Sequence, residues 1–409
     1  MAQAFDGIKV IDFSQVLAAP FAATQLALLG ADVIKIEPPG IGDQMRNRML
    51  PSPLAEHDMA SAFLAMNIGK RSLALDLKKP RGKEIAFKLI ETADVVLHNF
   101  RGGVVDRLGL DYAAVKAVNP KIVYCAVTGF GGEGPKARDA AYDGAVQAAS
   151  GMMANNGSTD SGPMRTGYFP VDMMTAISAA YAIAGALFRR QRTGEGQYLD
   201  VAMLDAALTL QASGFGQYLV DGNMGGLFGN SSATKMPTAD CFQTGDGAVL
   251  MSATQQNHVA GIFSEIGQPE LIDDARFSSI AARIENRAEL RTLLSEAFKK
   301  DSAENWEVRL AAHGVPIAKV RSVAEASKTP QLTHRGVLQK VPTPTGMGLD
   351  LTLVGSAFTA DSDGPAASGP PPLLAEHSAE ILTTLGYDGS AVDALVADGV
   401  VGLVKAYTR

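Results

Sequence analysis

The sequence predicts an α/β protein whose larger part is a doubly wound parallel sheet and whose second part is a smaller α/β domain. Three observations predict it. Short apolar runs of strand length alternate with helical patterns through the first third of the chain. Glycine and proline punctuate them, as at Gly30 and Pro38-Pro39-Gly40. The 409 residues exceed what one compact core holds, so about two domains are expected.

Residues 8–13 form the first apolar run of strand character, followed by the loop Ser14-Gln-Val-Leu-Ala-Ala-Pro20. Residues 21–29 carry a helical pattern, and Gly30 stands where a C-cap glycine ends a helix. Residues 33–37 are a second strand. Strand, helix and strand at this spacing make a βαβ unit, which needs a parallel sheet. The alternation continues with a strand at 72–75, a helix at 81–92, a strand at 95–97, a helix at 104–118 and a strand at 122–127. A sheet built this way carries helices on both faces, the doubly wound, Rossmann-like arrangement. The chain then turns helical, at 143–154, 173–190 and 201–219. Arg189, Arg190 and Arg192 precede Gly194, cations then glycine, as at a helix C-terminus. Glycines crowd residues 222–229 and mark a boundary. The small α/β domain shows a strand at 247–252, helices near 258–266, 287–299 and 303–313, and a closing strand at 315–320. Residues 361–372, rich in Gly, Pro, Ser and Ala, read as an extended linker. Helices at 378–385 and 392–407 end the chain. The expected division is a large domain over 1–220 with 373–409 packing back on it, a linker at 221–239, the small domain at 240–330 and a return linker at 331–372.

The totals exclude several function classes. A net charge of −7 argues against nucleic acid as a partner. The two cysteines, Cys125 and Cys241, form no disulfide framework, so a reducing, cytoplasmic setting is expected. No basic region followed by an apolar one opens the chain. The apolar stretch 171–188 contains an acid and falls short of the roughly 20 residues that span a bilayer. It reads as a buried helix, and no membrane partner is expected. The six histidines are scattered without metal-ligand spacing, so no metal is expected.

Three motifs bear on chemistry. Gly129-Phe-Gly131-Gly132-Glu-Gly134 matches the dinucleotide fingerprint, but Pro135 follows where the fingerprint needs a helix to open onto the pyrophosphate. Gly69-Lys70-Arg71-Ser72 resembles the end of a phosphate loop whose first glycine is missing, because Leu64 stands there. Asp172, directly before an apolar helix, is the residue of most interest. It either caps that helix or is held dry and reactive. The polar loop at 155–163 and the apolar flank of Phe169, Pro170, Val171, Met173 and Met174 favour the reactive reading.

Together these segments carry a resemblance. Asp6-Gly-Ile-Lys-Val-Ile-Asp-Phe13, Leu29-Gly-Ala-Asp-Val-Ile-Lys-Ile-Glu37, Asn67-Ile-Gly-Lys-Arg-Ser72 and Ala93-Asp-Val-Val-Leu-His-Asn-Phe100 are its first half. Thr128-Gly-Phe-Gly-Gly-Glu-Gly-Pro135, Thr193-Gly-Glu-Gly-Gln197 and Asp274-Ala-Arg-Phe277 complete it. The chain resembles the family III CoA-transferases over nearly its whole length. The resemblance implies that Asp172 is the nucleophile, attacking an acyl-CoA thioester to form an anhydride and then an aspartyl-CoA thioester. It implies coenzyme A, as the acyl-CoA substrate, contacted by Val16, Leu75, Lys78, Asn99, Phe100, Arg107, Tyr142 and Met203. It implies a carboxylic acid as second substrate, a large domain that binds CoA, and an interlocked homodimer. Leu17 stands where some members carry a glutamine, and Pro38 where some carry an arginine. The same superfamily holds α-methylacyl-CoA racemases, which use a histidine before an aspartate. Here that pair is Tyr142-Asp143, and a tyrosine with a pKa near 10 is a poor base at neutral pH. A racemase or epimerase and a non-catalytic CoA-binding scaffold are the alternatives.

Overall fold

A computed structural model describes residues 3–232, 234–344, 348 and 350–404. The chain divides into two compact units, one of Met1–Ser150, Thr166–Ala212 and Pro330–Arg409, the other of Gly151–Arg165 and Ser213–Thr329.

The first unit is built on β1 (Lys9–Asp12), α1 (Ala18–Ala27), β2 (Asp32–Glu37), α2 (Ser61–Met66), β3 (Arg71–Ala74), α3 (Pro80–Glu91), β4 (Val95–His98), α4 (Val104–Leu108), α5 (Tyr112–Val118), β5 (Val123–Thr128), α6 (Asp143–Ala149), α7 (Pro170–Thr193), β6 (Gln197–Ala202) and α8 (Met203–Leu210). The six strands pair in the order β3-β2-β1-β4-β5-β6, every pair parallel. The order reverses between β1 and β4.

Alternation along each strand sends side chains to opposite faces. Ile11, Ile34, Ile36, Val96 and Tyr124 pack with Ile85, Leu89 and Val115 of α3 and α5 and with Ile381, Leu382 and Leu395 of the C-terminal helices. Val10, Val33, Val95, Leu97, Val123 and Cys125 pack on the other face with α1 and α7. That contact is made of small side chains, Ala18, Ala19, Ala22 and Ala23 against Ala176, Ala179 and Ala186, so the two helices approach closely.

Several sequence expectations change here. The helix expected over 104–118 is two, because Gly109 adopts φ +68° and closes α4. The helix expected over 201–219 starts only at Met203, because residues 201–202 end β6, an edge strand whose residues are mostly half-exposed or exposed and carry no apolar run, and it is two helices, Met203–Leu210 and Ala212–Asp221. Helix α7 runs past both expected ends, closing at Gly194 with φ +74° after Arg190 and Arg192. By length and composition it could cross a membrane, yet one face is core while Ile177, Tyr181 and Phe188 on the other are exposed. The stretch read as a return linker contains a hairpin, Leu338–Val341 paired with Leu351–Val354. The last helix runs over Gly389–Ala397 and stops short of the expected end, and residues 405–407 lie outside the described residues.

The second unit has an antiparallel sheet of Ile317–Lys319, Ala248–Met251 and Cys241–Gln243. Phe242, Phe263, Phe277, Phe298 and Trp306 fill its core with the helices Gln256–Glu265, Arg287–Phe298 and Ala303–Ala312.

Candidate active site

A parallel sheet offers its ligand site beyond the C-terminal ends of the strands, where the strand order reverses. In the first unit that place holds a cleft of about 320 Å³. The loop after β1 contributes Gln15, Val16 and Leu17, the start of α1 contributes Ala18, and the loop after β4 contributes Asn99, Phe100, Arg101 and Gly102. Val127 to Gly129 close one side, with Ala137, Ala141 and Tyr142 beyond them. Asp172 and Met203 enter from the first turns of α7 and α8.

Asp172 does not cap its helix. It lies inside the first turn, and Phe169, the N-cap residue, supplies no side-chain acceptor. Asp143 does the capping from the start of α6. Its Oδ2 accepts from the backbone N–H groups of Val171 at 2.8 Å and of Asp172 at 3.1 Å. Asp143 is 3% exposed, and Gln147 Nε2 donates to its Oδ1. Gln147 also holds the approach to the helix, accepting from Thr166 N–H and donating to Thr166 Oγ1, both at 3.0 Å. With the cap supplied from elsewhere, no hydrogen bond reaches the Asp172 carboxylate among the described residues. Burial, and secondarily the charge of Asp143, push Asp172 up to about 7. The site therefore holds a half-buried carboxyl, free at both oxygens, that loses its proton only as pH rises through about 7.

The binding residues expected from the sequence divide. Val16, Asn99, Phe100, Tyr142 and Met203 line the same cleft as Asp172. Leu75, Lys78 and Arg107 do not. Leu75 is 1% exposed and packs in the core beneath the sheet, leaving no side-chain surface for a ligand. Lys78 and Arg107 are exposed on the surface outside the lining. Asn99 uses its amide on the protein itself, donating to Gln15 C=O at 2.6 Å and accepting from Gln15 N–H at 2.9 Å. His98, just before it, is 4% exposed, and burial pulls it down to about 4. Neutral, its Nδ1 accepts from Phe100 N–H at 3.2 Å, and its ring stacks on that of Phe100 with centroids 5.5 Å apart.

Sequence reasoning missed Arg101, Gln15, Gln44 and the capping role of Asp143. The signal for the first was present: Arg101 follows a strand end in a parallel sheet, where loops meet ligands. In the glycine motif at 129–134, Gly129 lines the cleft and Gly132 is tied to β6. Gly132 N–H donates to Asp200 Oδ2 at 2.8 Å, and no helix opens at the glycines. A Cβ on Gly102 would stand 2.7 Å from the Ala137 carbonyl oxygen, so the two loops that border the cleft meet only because that residue is glycine.

Residues 5–378 match the model of a family described as CoA-transferase family III. The chain is 32% identical over 397 residues to the succinyl-CoA:glutarate CoA-transferase of Mus musculus, covering 97% of this chain and 90% of that protein. It is 34% identical over 420 residues to the formyl-CoA:oxalate CoA-transferase of Streptomyces avermitilis, covering 98% and 100%. Among solved structures, a CAIB/BAIF family protein from Brucella suis matches with a TM-score of 0.86 at 32% identity, over 94% of this chain and 100% of that one.

Proposed function

The chain belongs to CoA-transferase family III, and we propose that it moves CoA from an acyl-CoA thioester to a free carboxylic acid with Asp172 as the nucleophile. The observation that carries this reading is the Asp172 carboxylate, left without a hydrogen bond in the cleft because Asp143 caps the helix in its place.

The carboxylate attacks the acyl carbonyl, the C–S bond breaks, and the CoA thiolate leaves an acyl–aspartyl anhydride. The thiolate then attacks the aspartyl carbonyl, expelling the donor's carboxylate and leaving an aspartyl-CoA thioester. The acceptor carboxylate repeats these two steps in reverse, so Asp172 ends as it began. Splitting the exchange this way replaces one difficult displacement by easier ones, and an anhydride survives only where water is kept out. Val16, Phe100 and Met203 provide apolar walls, and we assign Arg101, on the cleft lining, to a phosphate of CoA. The relatives named for succinyl-CoA with glutarate and formyl-CoA with oxalate support a small dicarboxylate as acceptor. A homodimer is part of the same proposal. The exposed apolar face of α7, with Tyr181 at 80% and Phe188 at 63% exposure, supports it.

The test mixes the protein with succinyl-CoA and a panel of dicarboxylic acids and follows CoA esters by mass spectrometry. A new acyl-CoA in stoichiometric exchange for free succinate is expected. Deuterium wash-in at the α-carbon with no acceptor present would mark a racemase instead, and CoA binding without turnover across the panel would mark a scaffold.

The raised pKa gives a second expectation. If ionised Asp172 attacks, kcat/KM rises with pH through about 7. Asp143→Asn keeps an acceptor for the helix but drops the neighbouring charge, so this acid limb should move to lower pH. An unmoved limb would show that another group controls it.

A further inference from the structure

Leaving β1, the chain crosses the edge of the cleft before α1 begins. Five consecutive backbone polar groups in this crossing are held by side chains. Ser14 N–H donates to Asp12 Oδ1 at 2.9 Å, and Ser14 C=O accepts from Lys35 Nζ at 2.7 Å. Gln15 N–H and C=O are both held by Asn99. Val16 N–H donates to Asp43 Oδ1 at 3.1 Å. At Val16 the backbone stands at φ +73°, a region that a β-branched L residue enters only under constraint. Such strain persists where the surroundings over-determine it.

The constraint at Val16 has an identifiable source. Lys35 Nζ and Asp43 Oδ2 form an ion pair at 2.9 Å, with both side chains 0% exposed. Neither residue lines the cleft. Asp43 is itself fixed, its N–H donating to Glu37 Oε2 at 3.0 Å and its Oδ1 also accepting from Met45 N–H at 3.0 Å. A buried ion pair is weak as a source of stability, because desolvation offsets its attraction and apolar residues of similar volume often serve as well. What apolar residues cannot do is grip a backbone. This pair grips the loop at two points, Ser14 C=O through Lys35 and Val16 N–H through Asp43.

We propose that the Lys35–Asp43 pair is a positioning device that holds Val16 in the left-handed conformation and so sets the cleft wall that receives CoA. The inference rests on the cleft being the CoA site. Neither residue touches substrate; both act through Val16. Without the grip, valine at position 16 relaxes toward negative φ, and the wall it forms is no longer ready when CoA arrives.

The test is a double-mutant cycle on Asp43→Ala and Val16→Gly, with Asp43→Asn alongside. Glycine adopts φ +73° without steric cost, so in the Val16→Gly background the conformation no longer depends on the grip. Three quantities are read for each protein: the Kd for CoA by calorimetry, KM and kcat for the acyl-CoA, and the melting temperature. Asp43→Ala should raise Kd and KM by at least about tenfold, the ratio that a conformational cost of this kind imposes, with kcat less affected. Asp43→Asn, which keeps the acceptor for Val16 N–H, should raise them less. Val16→Gly removes a cleft contact and so weakens CoA binding by itself, but adding Asp43→Ala to it should raise Kd far less than Asp43→Ala does in the wild type, while the melting temperature still falls, a split that a purely structural role would not produce. Should Asp43→Ala fail to fold, the same cycle is run on Asp43→Asn, whose smaller loss should likewise shrink in the Val16→Gly background. Additive losses in the double variant, or unchanged CoA affinity in the single one, overturn the proposal. Wild-type protein that does not bind CoA at all overturns the reading of the cleft as well, whereas normal wild-type binding with additive losses removes only the grip.

Discussion

Replacing Asp172 by Asn should lower the rate of CoA exchange by at least about a thousandfold, the scale on which removal of a covalent nucleophile is felt. The amide keeps the size of the side chain and removes its charge and nucleophilicity. CoA binding should change far less, because the other cleft residues remain in place. Stability should move the opposite way from activity. Asp172 is raised to about 7 by burial first and Asp143 second, against an ordinary value of 3.8. A carboxyl that is harder to ionise in the folded state than in the unfolded state costs stability as pH rises from 3.8 to about 7, and the loss is complete above that. The Asn variant escapes it. It should melt higher than wild type at pH 8, and the difference should vanish toward pH 3.8. Steady-state rates and melting curves over this pH range check both halves. Full exchange activity in the variant would remove Asp172 from the chemistry.

Arg46→Ala should destabilise the first unit by about 3–5 kcal/mol, the cost of leaving one partner of a buried ion pair alone. Arg46 donates from Nε to Glu37 Oε2 at 2.7 Å and from its second terminal nitrogen to Oε1 at 2.8 Å, with both side chains essentially unexposed. Its guanidinium also lies 3.7 Å from the centroid of the Phe63 ring. Burial alone would raise Glu37; the Arg46 guanidinium overrides it and holds the carboxyl at about 2. A depressed carboxylate of this kind contributes stability above its unfolded value, 4.5, and loses the contribution as pH falls toward 2. The gap between wild type and variant should therefore be widest near neutrality and narrow below pH 4.5. Denaturant melts at several pH values measure it. A gap that stays constant with pH would mean that packing on Phe63, and not the charge pair, is what Arg46 contributes.

How much of this was legible in the sequence follows from what each element is made of. Strands β1 to β5 are largely buried, so short apolar runs mark them in the sequence even though polar residues such as Asp12, Lys35 and Glu37 interrupt or end those runs. β6 lies at the edge, alternates partly exposed positions, and has no such run. The break between α4 and α5 rests on one glycine, Gly109, whose positive φ a helical pattern does not announce. The resemblance implies Leu75 as a ligand neighbour, but its side chain, just past the end of β3, packs in the core.

The site divides along the same line. Asp172 was legible because a carboxylate at the start of an apolar helix is an unusual placement, and the family resemblance rests on contiguous motifs that local sequence preserves. The sequence by itself determined the α/β class, the parallel sheet and the position of the candidate nucleophile, since all three depend on residues close together along the chain. Only the tertiary structure decided whether Asp172 caps its helix, because the competing cap, Asp143, sits 29 residues earlier on another helix. It also decided that Asn99, 84 residues from Gln15, and Asp43, 27 residues from Val16, hold the cleft loop. Hydrogen-bond partners and buried charges are chosen by proximity in space, and the order of residues along a chain does not encode that proximity directly.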